Sequence, residues 1–165
     1  MTTNNTAEET NVETLSLGRV QEMGLLDNLA PEERFDVFTK KATELFGVPI
    51  STLTILDEKK EYYKSCYGLD EREGSKAISF CKQALLSRNL FIIPNCLEDE
   101  RFANNPMVIG KPFIRFYAGV AIYDYKTSYP VAVFCIKDIK PRDFDAEDIA
   151  SFLAIADEVE KEINK

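Results

Sequence analysis

Hydrophobic residues recur at helical spacing near both ends of the chain. Between Phe35 and Phe46 they repeat on one helical face, and Gly47 follows at a position suited to ending a helix. A shorter helix is predicted over 13–23. Asp145 is placed to cap a final helix near the C-terminus. Helices are therefore expected to flank the middle of the chain.

The middle of the chain has the pattern of strands. Residues 51–56 and 61–67 are rich in β-branched and aromatic side chains and are separated by a polar turn, which predicts a hairpin. Further strands are predicted over 90–93, 115–123 and 130–137. This order predicts an α+β fold, with a central antiparallel β-sheet of five to six strands and helices on both faces.

Two remaining segments complete the predicted organisation. Ser79 is placed to cap a helix that runs to about residue 87. Residues 95–114 carry little regular pattern, and a loop of that length is usually functional or a mobile lid. The polar residues 1–12 are predicted to be a disordered leader. Residues 13–165 then form a single domain whose N- and C-terminal helices pack together.

Composition excludes several classes of chemistry. The chain has no histidine, which rules out Ser–His and Cys–His catalytic pairs, histidine-ligated haem and HExxH-type zinc hydrolysis. The formal net charge is −8, with basic residues interleaved among acids, so no nucleic-acid or anionic membrane partner is expected. No apolar run approaches the roughly 18–20 residues of a membrane span. We therefore expect a cytoplasmic protein.

The chain contains four cysteines, Cys66, Cys81, Cys96 and Cys135, and none forms a CxxC pair. In a reducing compartment we expect buried free thiols, and no metal site is predicted. Cys96 alone lies outside apolar or strand-like surroundings. It is therefore the one candidate for a reactive, exposed thiol.

Blocks of sequence between about Val20 and Ile155 resemble the bacterial sensor domains of the GAF family. They are Gly24–Asp27, Pro31–Asp36, Leu45–Ile50, Ser79–Cys81, Asp99–Pro106, Arg115–Gly119, Phe134–Asp138 and Lys140–Arg142. The resemblance implies a GAF/PAS-like sheet with the terminal helices on one face. Members of the family bind cyclic nucleotides, bilins, haem or other small molecules and commonly regulate kinases, cyclases or transcription factors.

Two departures from the family narrow this expectation. Lys82 and Gln83 stand where relatives continue the Ser-Phe-Cys block with a small residue and a histidine. The Asn-Lys-Phe-Asp-Glu signature of cyclic-nucleotide-binding members is absent. The pocket role of that histidine is therefore not carried over to this chain, and the cofactor stays unknown.

The resemblance also implies a pocket on the second face of the sheet, roofed by the helix near Ser79 and by residues 95–114. The candidate ligand-binding residues are Tyr63, Phe80, Cys81, Asp99, Phe102, Arg115, Tyr117 and Cys135. No catalytic residue is predicted.

Each candidate has an alternative structural role. Arg115 either binds a ligand carboxylate or phosphate, or pins residues 95–114 to the sheet by pairing with Asp99 or Glu100. Cys81 and Cys135 either pack in the core or form a redox or metal-binding pair. Tyr63 and its neighbours either stack on a ligand or pack within the sheet.

The leading functional interpretation is a non-catalytic sensory or regulatory domain that binds an unidentified small molecule. It would signal through a partner protein or a homodimer, which the heptad-like spacing of apolar residues over 149–163 favours. One alternative is an interaction module whose pocket is closed by the bulk of Ala132, Val133 and Phe134. Another is a thiol reductase that uses Cys96.

Overall fold

The computed structural model describes residues 2–87 and 90–165, with side chains from residue 7 onward. Its strands are β1 (Ile50–Leu56), β2 (Lys60–Tyr67), β3 (Glu73–Ser75), β4 (Phe91–Ile93), β5 (Phe116–Tyr123) and β6 (Pro130–Asp138). They form one sheet in the order β3-β2-β1-β6-β5-β4, and every neighbouring pair is antiparallel. The predicted sheet is confirmed. The sequence pattern missed β3 because its three residues include no β-branched or aromatic side chain.

Helices cover both faces of this sheet, as predicted. They are α1 (Thr2–Glu22), α2 (Asp36–Phe46), α3 (Phe80–Leu86), α4 (Pro106–Ile109) and α5 (Ala146–Ile163). The helices α2 and α5 contact each other on one face, here called the helix face. The opposite face, here called the pocket face, is covered by α3 and by the roof segment, residues 95–114.

The first helix corrects the prediction of a disordered leader over 1–12. It begins at Thr2, well before residue 13, where the sequence placed its start. Residues 2–12 carry no apolar stripe, so the periodicity of the sequence gave no helical signal there. A polar helix still extends outward from an anchored turn, because adding residues to an existing helix costs much less than nucleating a new one.

The two terminal helices both hold the turn between β5 and β6. Arg19 of α1 donates to the buried Asp124 across 2.8 Å. Asn164, just after α5, accepts from the backbone N–H of Tyr125 and donates to the carbonyl of Tyr123, each across 2.9 Å. The ends of the fold are therefore tied to one hairpin.

The helix face is an apolar core rich in phenylalanine. Five rings lie in contact there, with centroids 5.4 to 6.2 Å apart: Phe46, Phe116, Phe134, Phe144 and Phe152. At its start, α5 has the predicted capping box, in which Asp145 and Asp148 each accept from the other's backbone N–H.

One apolar stripe of α5 packs inside the fold, while Leu153 lies outside it and is 38% exposed. Phe152, Ile155, Ala156, Val159 and Ile163 are buried. The outer half of the helix therefore packs within the chain, and its apolar residues are not free for a helix pair. The homodimer stays a prediction. Among the described helices, none has the length and apolar character that crossing a membrane requires.

Candidate functional site

Alternate residues of the central strands point to opposite faces of the sheet, and one set of them forms the pocket face. Along β6, Ala132, Phe134 and Ile136 belong to the helix-face core, whereas Val133 and Cys135 belong to the core beneath α3. This corrects the expectation that Ala132, Val133 and Phe134 together narrow the pocket, because only Val133 of the three faces it. The period-two geometry of a strand sends the other two side chains to the opposite face.

Three of the predicted pocket residues form a closed aromatic stack. Phe80, at the start of α3, lies between Phe102 and Tyr117, with ring centroids 4.4 and 5.2 Å away. All three rings are buried. Ser79 holds α3 in place by capping the backbone N–H of Lys82 at 3.2 Å. The structure brings these residues together, and they fill this part of the face.

Gly119 allows the tyrosine of this stack to lie flat along the sheet. A Cβ at position 119 would meet the Tyr117 hydroxyl oxygen at 2.3 Å and the ring carbons at 2.7 Å. Atoms this close cannot coexist, so any larger residue would displace the ring. The closure of this half of the pocket face therefore depends on two alternate positions of β5, Tyr117 and Gly119.

A chain of hydrogen bonds runs beneath the stack and ends at Cys135. The Tyr117 hydroxyl donates to the Cys81 sulfur at 3.4 Å, and Cys81 donates to Thr54 at 3.6 Å. Thr54 and Thr52 hydroxyls are 2.8 Å apart, and Thr52 is 3.1 Å from the Cys135 sulfur. In each of these last two contacts either atom can be the donor.

The two buried thiols of this chain differ in acidity. Hydrogen bonding with Cys135, together with burial, raises the pKa of Cys81 well above its ordinary value. Burial opposes ionisation of Cys135, but hydrogen bonding with Cys81 and the positive charge of Lys137 outweigh it and lower the pKa of Cys135. Both cysteines are free, and no cluster of metal-ligating residues occurs in the described part of the chain.

The other half of the pocket face is open. A cavity of about 160 Å³ lies between β2, β3, the C-terminal end of β6 and residues 107–114 of the roof segment. Its charged and aromatic lining residues are Glu61, Tyr63, Glu71, Glu73, Lys111 and Lys137. Of the eight predicted ligand-binding residues, only Tyr63 lines this space.

Glu61 and Tyr63 form a buried polar wall of the cavity. The Tyr63 hydroxyl donates to Glu61 Oε1 at 2.9 Å, and the Ser79 hydroxyl donates to Glu61 Oε2. Burial, followed by the charge of Glu61, raises the pKa of Tyr63. The Glu61 side chain is only 2% exposed, and two hydroxyl groups donate to its carboxylate in place of water.

Sequence reasoning missed both buried charged residues of this site, Glu61 and Lys137. Lys137 is 1% exposed, and its Nζ lies 5.9 Å from the ring centroids of both Phe80 and Tyr117. Burial lowers the pKa of Lys137, but nearby negative charge, that of Cys135 foremost and that of Glu61 as well, outweighs it and raises the pKa, so the side chain is an ammonium. The available signal was a lysine that continues the apolar run of 131–136 on a central strand.

The roof segment is more regular than its sequence pattern indicated. It contains a short 3₁₀ helix, Cys96–Glu98, and the α4 turn, which Asn105 caps. The Asn105 side chain also donates to the Ile78 carbonyl at 2.9 Å, which ties the segment to the start of α3. Side-chain hydrogen bonds replace periodicity in ordering this stretch.

Asp99 and Arg115 lie outside the cavity lining and serve the roof segment. Arg115 Nη1 donates to the carbonyls of Val108 and Ile114 at 2.8 and 3.1 Å. It therefore pins the segment, as one prediction had it, but through backbone carbonyls. The predicted pairing of Arg115 with Asp99 or Glu100 is not found among the described residues, and Asp99 binds Arg101 instead, at 2.6 Å.

Cys96 corrects the expectation of an exposed, reactive thiol. It is fully buried among the residues beneath the roof segment. Burial, together with the negative charge of Asp99, raises the pKa of Cys96 to about 11. Such a thiol is protonated at neutral pH and is a poor nucleophile.

A second cavity, of about 330 Å³, lies between α1, α3 and the β5–β6 turn. Leu15, Leu85, Tyr123 and Pro130 contribute to its lining, and none of the residues that line it is charged. It offers apolar contact but no electrostatic recognition. The smaller cavity is therefore the one with the chemistry of a specific binding site.

Several known proteins resemble this chain. A cyclic di-GMP phosphodiesterase from Pseudomonas aeruginosa is 36% identical over 123 residues. The match covers 74% of this chain and 21% of that protein, so the chain spans about a fifth of the length of this relative.

Solved structures share the fold at low sequence identity. The GAF domain of an Acinetobacter phosphoenolpyruvate-protein phosphotransferase has a TM-score of 0.63 at 15% identity, over 92% of both chains. A free methionine-R-sulfoxide reductase from Thermoplasma acidophilum has a TM-score of 0.63 at 14% identity, over 92% of this chain and 94% of its own. The sequence profile of the GAF domain matches residues 30–163. This chain belongs to the GAF domain family.

Proposed function

We propose that this GAF domain is a non-catalytic regulatory module that binds a small molecule in the cavity beside Glu61, Tyr63 and Lys137. The observation that carries the proposal is the placement of two buried charged side chains in the wall of one cavity. Burying charge costs free energy that the fold recovers only through a partner. Such groups in a concave site are typical of ligand recognition.

The relatives support a regulatory role and not a particular ligand. The matched phosphodiesterase is about five times longer than its match to this chain, so its named activity is not transferred. The reductase likeness, at 14% identity, shows the fold alone. Cys81 and Cys135 are buried under the aromatic stack, which favours a non-catalytic role for the thiols.

We propose that the signal leaves the cavity along β6. Lys137 lies near one end of this strand, and Pro130 begins the other end at the β5–β6 turn. That turn is held by Arg19 of α1 and by Asn164 after α5. A shift of β6 on ligand binding would reach both terminal helices and, through them, a partner protein or a second copy of the chain in the cytoplasm.

A screen of metabolites by thermal unfolding tests the proposal, with Met107→Trp as the variant that fills the cavity. Met107 lines the cavity from the roof segment. The matched control is Leu97→Trp, because Leu97 lies on the same segment and is 51% exposed. A ligand that raises the Tm of the natural chain and of Leu97→Trp, but not of Met107→Trp, supports the site. A ligand effect that survives in Met107→Trp contradicts it.

The aromatic stack favours a second candidate function, an interaction module that needs no ligand. Phe80, Phe102 and Tyr117 occupy the part of the pocket face beneath α3. If the module acts in this way, a partner from the native cell binds the natural chain and Met107→Trp equally well. Loss of partner binding in Met107→Trp, with the fold retained, argues for the ligand-dependent role instead.

A further inference from the structure

The Lys137 side chain is buried, but its Nζ is not among the buried polar atoms that lack a partner, so the ammonium reaches the open space of the cavity. In the two described ranges, no carboxylate oxygen lies within 4.0 Å of its Nζ, and no side-chain or carbonyl acceptor forms a hydrogen bond with it. The side chain is 1% exposed and contributes to the wall of the 160 Å³ cavity. An ammonium has three N–H donors, and in the cavity these donors are open to an acceptor other than the protein. A ligand in the cavity could supply a hydrogen-bond acceptor to this ammonium.

Two groups whose negative charge acts on Lys137 already have hydrogen-bond partners of their own. The Glu61 carboxylate accepts from the hydroxyls of Tyr63 and Ser79. The Cys135 sulfur, two residues along the same face of β6, is bonded to Thr52 at 3.1 Å. These groups supply part of the counter-charge at a distance, but neither forms a hydrogen bond with the ammonium.

Resting on the proposed small-molecule function, we propose that the ligand is a small monocarboxylate whose carboxylate binds Lys137 in this cavity. A charge-assisted hydrogen bond from a lysine to a carboxylate is among the stronger polar contacts, more so away from water. Lysine acts here as a point charge, so it can bind one oxygen of a carboxylate without the paired, parallel hydrogen bonds that an arginine would make.

The size of the cavity limits the ligand. A volume of 160 Å³ is that of about five water molecules at about 30 Å³ each in the liquid. The cavity accommodates a short organic acid, whereas most of a dinucleotide would have to lie outside it. The cavity therefore predicts that cyclic di-GMP, the molecule in the name of the related phosphodiesterase, does not bind here.

The charges at the cavity wall limit the ligand further. Glu61, Glu71 and Glu73 line it together with Lys111, and Glu73 is paired with Lys60 at 2.9 Å. Three carboxylates in one small space repel a second negative charge on the ligand. The site thus fits a monocarboxylate better than a dicarboxylate or a phosphate ester.

The test compares acids with their uncharged analogues. Tm is measured for the natural chain with propionate, lactate and alanine, with propionamide and lactamide, with succinate, and with cyclic di-GMP, at constant ionic strength. A ligand at ten times its Kd raises the Tm of a domain of this size by about 3–6 °C. We expect such a rise with at least one monocarboxylate and none with the amides, succinate or the dinucleotide.

Variants assign the effect to Lys137. Lys137→Met is expected to weaken the acid's binding at least tenfold by calorimetry, while Lys137→Arg keeps a measurable part of it. The matched control is Lys140→Met, which removes an exposed lysine that does not line the cavity, and it should change Kd less than twofold. If Lys137→Met fails to fold, the comparison of acid with amide and the Lys137→Arg affinity decide the matter.

The outcomes separate this inference from the proposed function beneath it. If no acid raises the Tm, or if acid and amide act alike, the carboxylate assignment is overturned. If a neutral or cationic metabolite then binds, and Met107→Trp abolishes that binding, the regulatory site survives with another ligand. If Met107→Trp abolishes no binding at all, the proposed site fails as well.

Discussion

The helix face and the pocket face of the sheet bury different chemistry, although the same strands supply both. On the helix face, five phenylalanines meet at centroid distances of 5.4 to 6.2 Å. On the pocket face, two thiols and two threonines form a hydrogen-bonded chain, and Glu61 and Lys137 lie buried beside a cavity. One β-strand pattern thus serves two purposes through its alternate residues.

This difference separates the residues that stabilise the fold from those that give it a function. Burial of an apolar ring stabilises the fold whether or not the ring has a specific partner. Buried thiols, carboxylates and ammonium groups stabilise the fold only when each one has a hydrogen-bond or charge partner. Buried polar and charged groups lower the stability of the fold unless they are paired. Their concentration on the pocket face therefore indicates that this face carries the function.

The largest expected effect is on the helix face. Phe152→Ala removes a fully buried ring that contacts Phe46, Phe134 and Phe144. It should lower the free energy of unfolding by about 3–5 kcal/mol in denaturant titration. Leu153→Ala, one residue along and 38% exposed, should cost less than about 1 kcal/mol. Similar costs for both would mean that this face is not the stabilising one.

A smaller effect is expected where the pocket face is closed. Gly119→Ala places a methyl group 2.3 Å from the Tyr117 hydroxyl oxygen, so the stack must shift at a cost of about 1–3 kcal/mol. Its control is Gly18→Ala in α1, where no atom lies within 4 Å of the new methyl group and a gain of about 0.5–1 kcal/mol is expected. A Gly119→Ala chain as stable as the natural one would show that the stack is loosely packed.

The third prediction concerns a contact that belongs to neither face. Burial opposes ionisation of Asp124, but hydrogen bonds from Arg19 and Thr127 outweigh it and lower the pKa of Asp124 from 3.8 to about 2. Because the folded pKa is below the unfolded one, the stability it contributes is present above about pH 4 and is lost as the pH falls towards 2.

Asp124→Asn should therefore cost about 1–2 kcal/mol at neutral pH, a value reduced for partial solvent screening. The variant should also lose less stability than the natural chain on acidification. Unfolding midpoints measured from pH 6 to pH 2 give both quantities. Binding of the acid beside Lys137 should be unchanged at neutral pH. A loss of binding would mean that general stability, and not the pocket face, controls the ligand.

The smallest effect on stability, with the largest effect on binding, is expected at Lys137. Lys137→Met removes a charge that forms no ion pair with a described residue and keeps the length of the side chain. Because Cys135 can take up a proton once the lysine charge is gone, the free energy of unfolding should change by less than about 1 kcal/mol. A loss of more than about 2 kcal/mol would show that the ammonium has a structural partner. Denaturant titration of the unliganded protein distinguishes these results.

The sequence predicted those helices and strands that have a repeating apolar pattern or a capping residue. The central strands, α2 closed by Gly47 in a left-handed conformation, and the Asp145 capping box follow from local chemistry. It did not predict β3 or the polar start of α1, because neither carries a repeating apolar signal. Local patterns therefore account for most of the fold.

The site was predicted less completely because it depends on which side chains meet across strands. Phe80, Phe102 and Tyr117 were expected to line a pocket and instead fill it. The reason lies in Gly119, which lets the Tyr117 ring lie flat. Lys137 was overlooked because a lysine after an apolar run is usually the exposed end of a strand. Its burial depends on the roof segment, which no local pattern reveals.

The most direct test of the account is a high-resolution crystal structure of the protein with the monocarboxylate that gives the largest rise in Tm. The account predicts a carboxylate in the cavity, with an oxygen about 2.7–2.9 Å from Lys137 Nζ. It also predicts an unchanged aromatic stack of Phe80, Phe102 and Tyr117. A cavity that holds only water, with Lys137 bonded to a protein carboxylate, would contradict it.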